Sequence, residues 1–145
     1  MVASTDAGAL KITSEPVARG PVSLTIGDEA LRSRILAGLG DHENMAIIHS
    51  IAKESKTALA ISLETQIPAS TVYRKLVELK ELGLVIRDHV EIRGGKRLTY
   101  HVAAFSEIRL KSVGGVLRLE LVPSAAAASR VWLNLLWSSS LPQTT

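Results

Sequence analysis

Residues 57–85 read TALAISLETQIPASTVYRKLVELKELGLV and contain two short amphipathic segments with a proline between them. Thr57 is suited to start a helix that runs to about residue 65, because its hydroxyl can accept a hydrogen bond from a free amide of the first turn. Pro68 lacks an amide hydrogen and cannot continue that helix. A second helix is predicted over 69–82, and Gly83 ends it. The stretch therefore predicts two helices joined by a very short turn.

The residues after the second helix change from a helical period to a period of two, which predicts two β-strands. The strands are expected over 84–93 and 97–104, with a glycine-rich loop at 94–96. The apolar positions are even-numbered on both strands. They share one face only if paired residue numbers have an even sum, as in Ile92 opposite Leu98. This register predicts a hairpin with a three-residue loop, and also pairs Val90 with Tyr100.

The same register has two consequences for polar side chains. It places Arg93 directly opposite Arg97, next to Lys96, and this basic tip favours an anion between the strands. A solvated basic surface is the alternative, because salt screens repulsion there. It also places His89 opposite His101 on the polar face. Two imidazoles are too few for a zinc site, so we expect exposed histidines, no metal and no cofactor.

The chain before residue 57 predicts a flexible start followed by two helices. Residues 1–27 are rich in small residues, with at most one short strand over 22–26. Asp28 is the expected N-cap of a helix over 28–39. A further helix is expected over 43–54, because its apolar residues recur at helical spacing.

The chain after residue 104 predicts a second hairpin over 105–123 with Gly114-Gly115 as a two-residue turn. This turn places Arg109 opposite Glu120, an attractive pair of opposite charges. It also pairs two sets of apolar residues, Ile108 with Leu121 and Leu110 with Leu119. Residues 124–145 are expected to form a helix and tail that are apolar nearly all round and must be buried, either on their own domain or against a second copy. Dimerisation is expected through helix 28–39 together with this tail.

Composition narrows the class of protein. The chain has 145 residues, no cysteine, 46% hydrophobic residues and a net charge of +3. These values fit one folded domain with short extensions and exclude disulfides and thiolate metal sites. The positive excess lies after residue 83. The chain carries no apolar run of membrane-spanning length and no secretory signal at its start, so a cytoplasmic protein is expected. No nucleophile elbow, phosphate loop or paired-carboxylate motif indicates an enzyme.

The segment STVYRKLVELKELGLV at 70–85 resembles the recognition helix and the start of the wing in ArsR-like winged helix-turn-helix transcriptional regulators. The resemblance covers about residues 31–104, and MarR-like and archaeal winged-helix regulators share the pattern. It implies an α+β fold, mainly α, in which residues 28–104 form a winged helix-turn-helix DNA-binding domain with a β-hairpin wing. The second hairpin and the C-terminal helix lie outside this resemblance.

A recognition helix in the major groove reads base edges through side chains near its N-terminus, and a basic wing contacts the backbone or minor groove. We therefore expect a homodimer that binds double-stranded DNA sequence-specifically. The expected DNA-binding residues are Thr57, Ser70, Thr71, Tyr73, Arg74, Lys75, Arg93, Lys96 and Arg97. A winged-helix subunit that binds proteins in a transcription or repair assembly is the alternative, because fold does not imply function. A non-specific, chromatin-like DNA binder is a third hypothesis.

Overall fold

A computed structural model describes residues 23–128 of the chain, so most of the expected C-terminal helix lies outside the described residues. The elements in chain order are β1 (Leu24–Thr25), α1 (Glu29–Leu39), α2 (His42–Ser50), α3 (Ala58–Thr65), α4 (Ala69–Glu81), β2 (Val85–Arg93), β3 (Lys96–Ala103), β4 (Phe105–Val113), β5 (Val116–Pro123) and α5 (Ala125–Ala128).

The helices begin where short polar side chains can cap them. The Asp28 carboxylate accepts hydrogen bonds from the amides of Ala30 and Leu31, as expected for an N-cap. The α2 helix begins after Asp41 and ends at Ser50, four residues earlier than expected. It ends there because the next carbonyl, that of Ile51, accepts a hydrogen bond from Ala103 of β3 at 3.0 Å. The chain after α2 is thus held against the first hairpin.

The core lies between α1–α4 and the inner faces of the strands. Leu24 and Ile26 are both only 1% exposed, and the Ile26 amide donates to the carbonyl of Leu119 at 2.9 Å. These two residues belong to the folded unit, so the flexible start expected for residues 1–27 does not extend to them. The other fully buried large side chains are Ile35, Ile47, Ile51, Ile61, Val72, Leu76, Leu79, Leu84, Leu119 and Leu121.

The first hairpin has a different register from the one expected. Arg93 pairs with Lys96 and Ile92 pairs with Arg97, so Gly94 and Gly95 form a two-residue turn rather than a three-residue loop. Both glycines have positive φ, of 59° and 78°, which two-residue turns between antiparallel strands favour. A bulge at Asp88 then shifts the pairing by one residue. Below the bulge, Ile86 pairs with Val102, and the apolar residues of the two strands share a face again.

The second hairpin has the expected register. Ile108 pairs with Leu121, Leu110 with Leu119, and Arg109 with Glu120 around a Gly114-Gly115 turn. This hairpin belongs to a three-stranded sheet with the order β1–β5–β4. Ser124 joins it to the first hairpin, since its hydroxyl donates to the carbonyl of Ala103 at 2.8 Å and accepts from the amide of Ala127 at 3.2 Å.

The described residues thus form an α+β fold with antiparallel sheets, an architecture compatible with a winged helix. Among residues 23–128, no helix combines the length and the apolar character needed to cross a lipid bilayer.

Candidate nucleic-acid interface

The turn between α3 and α4 is tight and is fixed by local hydrogen bonds. Gln66 has φ of 65°, a left-handed conformation that is uncommon outside glycine, and its amide donates to the Ser62 carbonyl at 2.9 Å. The Ser62 hydroxyl donates to the carbonyl of Ile67 at 2.6 Å, and Ile67 is buried. These contacts hold the start of α4 in one place relative to α3.

The first turn of α4 presents polar groups outward. Pro68 occupies the N-cap position, and its side chain cannot accept a hydrogen bond from the amides of the first turn. Ser70 is exposed and Thr71 is partly exposed, while Val72 is buried in the core. Tyr73 is also exposed. This end of α4 can therefore donate hydrogen bonds to an anion or to base edges.

Arg74 lies one turn into α4 and is exposed. Its Nη1 atom is 3.4 Å from a carboxylate oxygen of Glu78, which lies one turn further along the helix. Both side chains are more than half exposed, and such pairs contribute little to stability. The guanidinium of Arg74 is therefore available to a stronger anionic partner.

Lys75 does not lie on the outer surface as expected. It is 5% exposed, and its Nζ is 3.0 Å from an Asp41 oxygen and 3.8 Å from a Glu43 oxygen. The amide of Asn44 and the Lys75 ammonium lower the pKa of Asp41. The helical spacing explains the error, because Lys75 stands next to the buried Leu76 and near Val72 on the inner side of α4. Lys75 joins α4 to α2 and is not a DNA-contacting candidate.

The basic residues of the first hairpin surround its tip. Arg93, Lys96 and Arg97 are all exposed. The expected pairing of Arg93 with Arg97 is wrong, because Arg93 pairs with Lys96 and hydrogen-bonds Glu91 at 2.7 Å. Among residues 23–128, Lys96 and Arg97 have no carboxylate partner. The repulsion between like charges now falls on Arg93 and Lys96, and an anion would still relieve it.

A groove of about 390 Å³ separates the tip of the hairpin from α3 and α4. Four of the expected site residues line it: Thr57, Tyr73, Arg93 and Arg97. The Thr57 hydroxyl accepts from the Ala60 amide at 3.2 Å and so caps α3 at the edge of this groove. Ser70, Thr71, Arg74 and Lys96 do not line the groove. The structure thus brings part of the expected set around one concave surface.

His101 also lines this groove, and sequence reasoning placed it elsewhere. It pairs with Arg87 rather than with His89, and it is 5% exposed. Burial, together with the positive charge of Lys80, lowers its pKa from 6.5 to about 4. Its Nδ1 atom has no hydrogen-bond partner within residues 23–128. The alternation of polar and apolar residues along β3 predicts an exposed His101, but its backbone also pairs with Lys56, so the segment before α3 lies against it.

His89 stacks on the ring of Tyr100, with 4.3 Å between ring centroids, and its Nδ1 is 2.7 Å from an Asp88 oxygen. The Tyr100 hydroxyl donates to Glu91 at 3.3 Å. The expected facing of His89 and His101 is therefore wrong. Within residues 23–128, no cluster of three or more His, Asp or Glu side chains is arranged to hold a metal ion.

Comparisons with known proteins assign neither a family nor a function to this chain. No family model matches it, and no curated protein is significantly similar. A solved structure, the crystal structure of NolR from Sinorhizobium fredii, is similar with a TM-score of 0.44 and 14% sequence identity, over 66% of this chain and 82% of that chain.

Proposed function

We propose that the protein is a transcriptional regulator that binds double-stranded DNA sequence-specifically as a homodimer. In this proposal α4 enters the major groove, and the hairpin β2–β3 acts as a wing on the backbone or in the minor groove. A winged helix-turn-helix of the ArsR-like type is the finer form of the proposal. The observation that carries it is the groove between α4 and the hairpin, lined by Tyr73 on one side and by Arg93 and Arg97 on the other.

The exposed residues of α4 can make two kinds of contact with DNA, to phosphates and to base edges. Ser70 and Thr71 lie at an uncapped helix start, where hydroxyls and amides suit phosphate oxygens. Arg74 offers a planar guanidinium that can bind guanine through two hydrogen bonds. We therefore assign base recognition to Arg74, and positioning on the backbone to Ser70, Thr71 and Thr57.

The exposed cations of the hairpin are assigned to phosphates. Lys96 and Arg97 lack carboxylate partners within the described residues, so binding an anion costs them no ion pair. Arg93 would exchange its exposed contact with Glu91 for a phosphate contact, at little cost in this solvated position. Such contacts are independent of sequence and depend strongly on salt concentration.

The test is a salt titration of binding to a random duplex and to the duplex upstream of the protein's own gene. We expect binding that weakens steeply with salt and prefers the upstream duplex. Replacing Arg74 with Ala should remove about 1–3 kcal/mol of discrimination between the two duplexes. Replacing Arg97 with Ala should weaken both complexes equally and reduce the salt slope by about one.

Arg34→Ala is the matched control, because Arg34 is an exposed arginine on α1, away from the groove. We expect this variant to bind both duplexes like the parent protein. Equal affinity for both duplexes would indicate a non-specific DNA binder instead. No binding to either duplex at low salt would contradict the proposal and would favour a winged-helix subunit that binds proteins.

A further inference from the structure

The outer edge of the second hairpin is an unpaired β-strand. In the sheet order β1–β5–β4, strand β4 has a partner on one side only within residues 23–128. An open edge exposes a row of amides and carbonyls to which another strand can pair. We infer that β4 pairs antiparallel with β4 of a second copy and so forms the interface of the homodimer. The inference rests on the dimeric state proposed above and does not depend on DNA binding.

The direction of the free peptide groups follows from two observations. Val113 and Val116 flank the two-residue turn, and such a pair exchanges backbone hydrogen bonds within the hairpin. Leu119 accepts from Ile26 of the β1 side, so its peptide groups point away from β4. Its partner Leu110 therefore points its own peptide groups away from β5. By the alternation of the ladder, the free groups at this edge belong to Ile108, Leu110 and Ser112.

The side chains of β4 are complementary to a second, antiparallel copy of the same strand. Pairing around a two-fold axis at Arg109 places Glu107 opposite Lys111 of the other copy, twice in each dimer. It also places Ile108 opposite Leu110 twice. Arg109 faces its own counterpart at the axis, but each Arg109 already hydrogen-bonds Glu107 of its own chain at 2.8 Å and lies 3.7 Å from Glu120. The pairing therefore joins opposite charges and apolar side chains.

The exposed apolar surface of the described residues favours this edge over α1. Leu110 is 53% exposed and Leu117 is 44% exposed on the same face, and both continue the apolar face of the hairpin beyond the core. None of the exposed large apolar side chains among residues 23–128 lies in α1. Leu31 and Leu36 of α1 are partly buried and pack against the core of their own chain.

The test is sedimentation velocity of the full chain over a concentration series, without DNA. The parent protein is expected to dimerise. Glu107→Lys and Lys111→Glu should each raise the dimer dissociation constant roughly tenfold or more, because each change sets like charges against each other twice. The double variant restores opposite charges across the interface and is expected to have a lower dissociation constant than either single variant, although it loses the contacts of Glu107 with Arg109 and of Lys111 with Glu120 within each chain.

A second pair of variants tests the backbone contact. Leu110→Pro removes an amide hydrogen that faces the open edge and leaves the contacts with β5 in place, as proline requires in an edge strand. It should abolish the dimer. Leu110→Ala keeps the amide and should weaken the dimer less. Circular dichroism of both variants shows whether the fold is retained.

Three results would overturn the inference. A parent protein that stays monomeric at all concentrations would remove both the dimer and its interface. Dimers unaffected by the single charge reversals, or no tighter in the double variant than in the single variants, would place the interface elsewhere. A monomer in which the Leu110 amide resists hydrogen exchange would show that another segment of the same chain covers the edge. Binding of DNA by the parent protein is measured separately and is not decided by any of these results.

Discussion

The two hairpins have the same kind of turn but different relations to the core. Each closes with two glycines of positive φ, Gly94-Gly95 in the first and Gly114-Gly115 in the second. The second keeps one register from Glu107–Val122 to its turn and shifts only at its base, at Ser106, whereas the first shifts in mid-strand at Asp88. Apolar alternation sets the register of a strand only where a face is buried. At the tip of the first hairpin, Ile92 is 70% exposed, so turn geometry decides the pairing there.

The largest expected effect comes from an apolar residue at the base of the second hairpin. Leu121 is fully buried, so Leu121→Ala should lower the free energy of unfolding by about 4 kcal/mol through lost burial and a cavity. Ile92→Ala in the tip of the first hairpin is the matched change and should cost less than about 0.5 kcal/mol. Urea unfolding measures both values. Similar losses in the two variants would contradict the difference in burial between these two positions.

The next effect concerns pH and the base of the first hairpin. Burial lowers the pKa of His101 to about 4, so the folded protein binds fewer protons than the unfolded chain between about pH 4 and 6.5. Stability should therefore be full above pH 6.5 and should fall with decreasing pH, by up to about 3 kcal/mol at pH 4. Unfolding at several pH values measures this slope. A His101→Phe variant should lose the part of the slope that lies between pH 4 and 6.5, and an unchanged slope would exclude His101 as its source.

A smaller effect tests the glycine turns. Nothing lies within 4 Å of a side chain added at Gly94 or Gly114, so only the backbone conformation opposes substitution. Gly94→Val and Gly114→Val should each cost about 1–3 kcal/mol, because a β-branched residue is strained at positive φ. Asn tolerates this conformation, so Gly94→Asn and Gly114→Asn should cost clearly less. Thermal unfolding checks the four variants, and equal losses for Val and Asn would point to a side-chain clash rather than to the backbone.

The smallest expected effect on stability comes from replacing an exposed arginine in either hairpin. The same variants test which hairpin contacts DNA. Arg97 and Arg118 are exposed arginines near the two tips, and replacing either with Ala should change stability by less than about 0.5 kcal/mol. Only Arg97→Ala should weaken DNA binding. Filter binding or fluorescence anisotropy at fixed salt measures the affinity. A comparable loss with Arg118→Ala would assign DNA contact to the second hairpin as well.

Much of the fold could be predicted from local rules. The caps at Asp28 and Thr57, the turn at Gln66–Pro68 and the register of the second hairpin each follow from a single physical requirement, and the structure has all of them. The early end of α2 could not be predicted, because it depends on a hydrogen bond between Ile51 and Ala103, which are distant in sequence.

The candidate site was predicted less completely than the fold. Exposure of Tyr73, Arg74 and Arg97 follows from the helical and strand periods, and the structure agrees. Lys75 was misplaced because a charged residue is seldom buried unless it is paired, and its partners Asp41 and Glu43 lie 34 and 32 positions earlier. His101 was misplaced because its burial depends on pairing with Lys56, which lies 45 positions earlier in the sequence. The strand period alone could not show the burial of His101, and the helical period gave no indication of the carboxylates that pair with Lys75.

The ion pair between the buried Lys75 and the partly exposed Asp41 lies on one side of α4, and the side chains available to a ligand lie on the other. The residues that hold the helix against α2 are different from the residues that it presents outward, such as Ser70 and Arg74. Substitutions on the outward side can therefore alter which ligand is preferred without changing how firmly the helix is held. A redesign of binding preference could vary the outward positions freely while keeping Lys75, Asp41 and Glu43 constant.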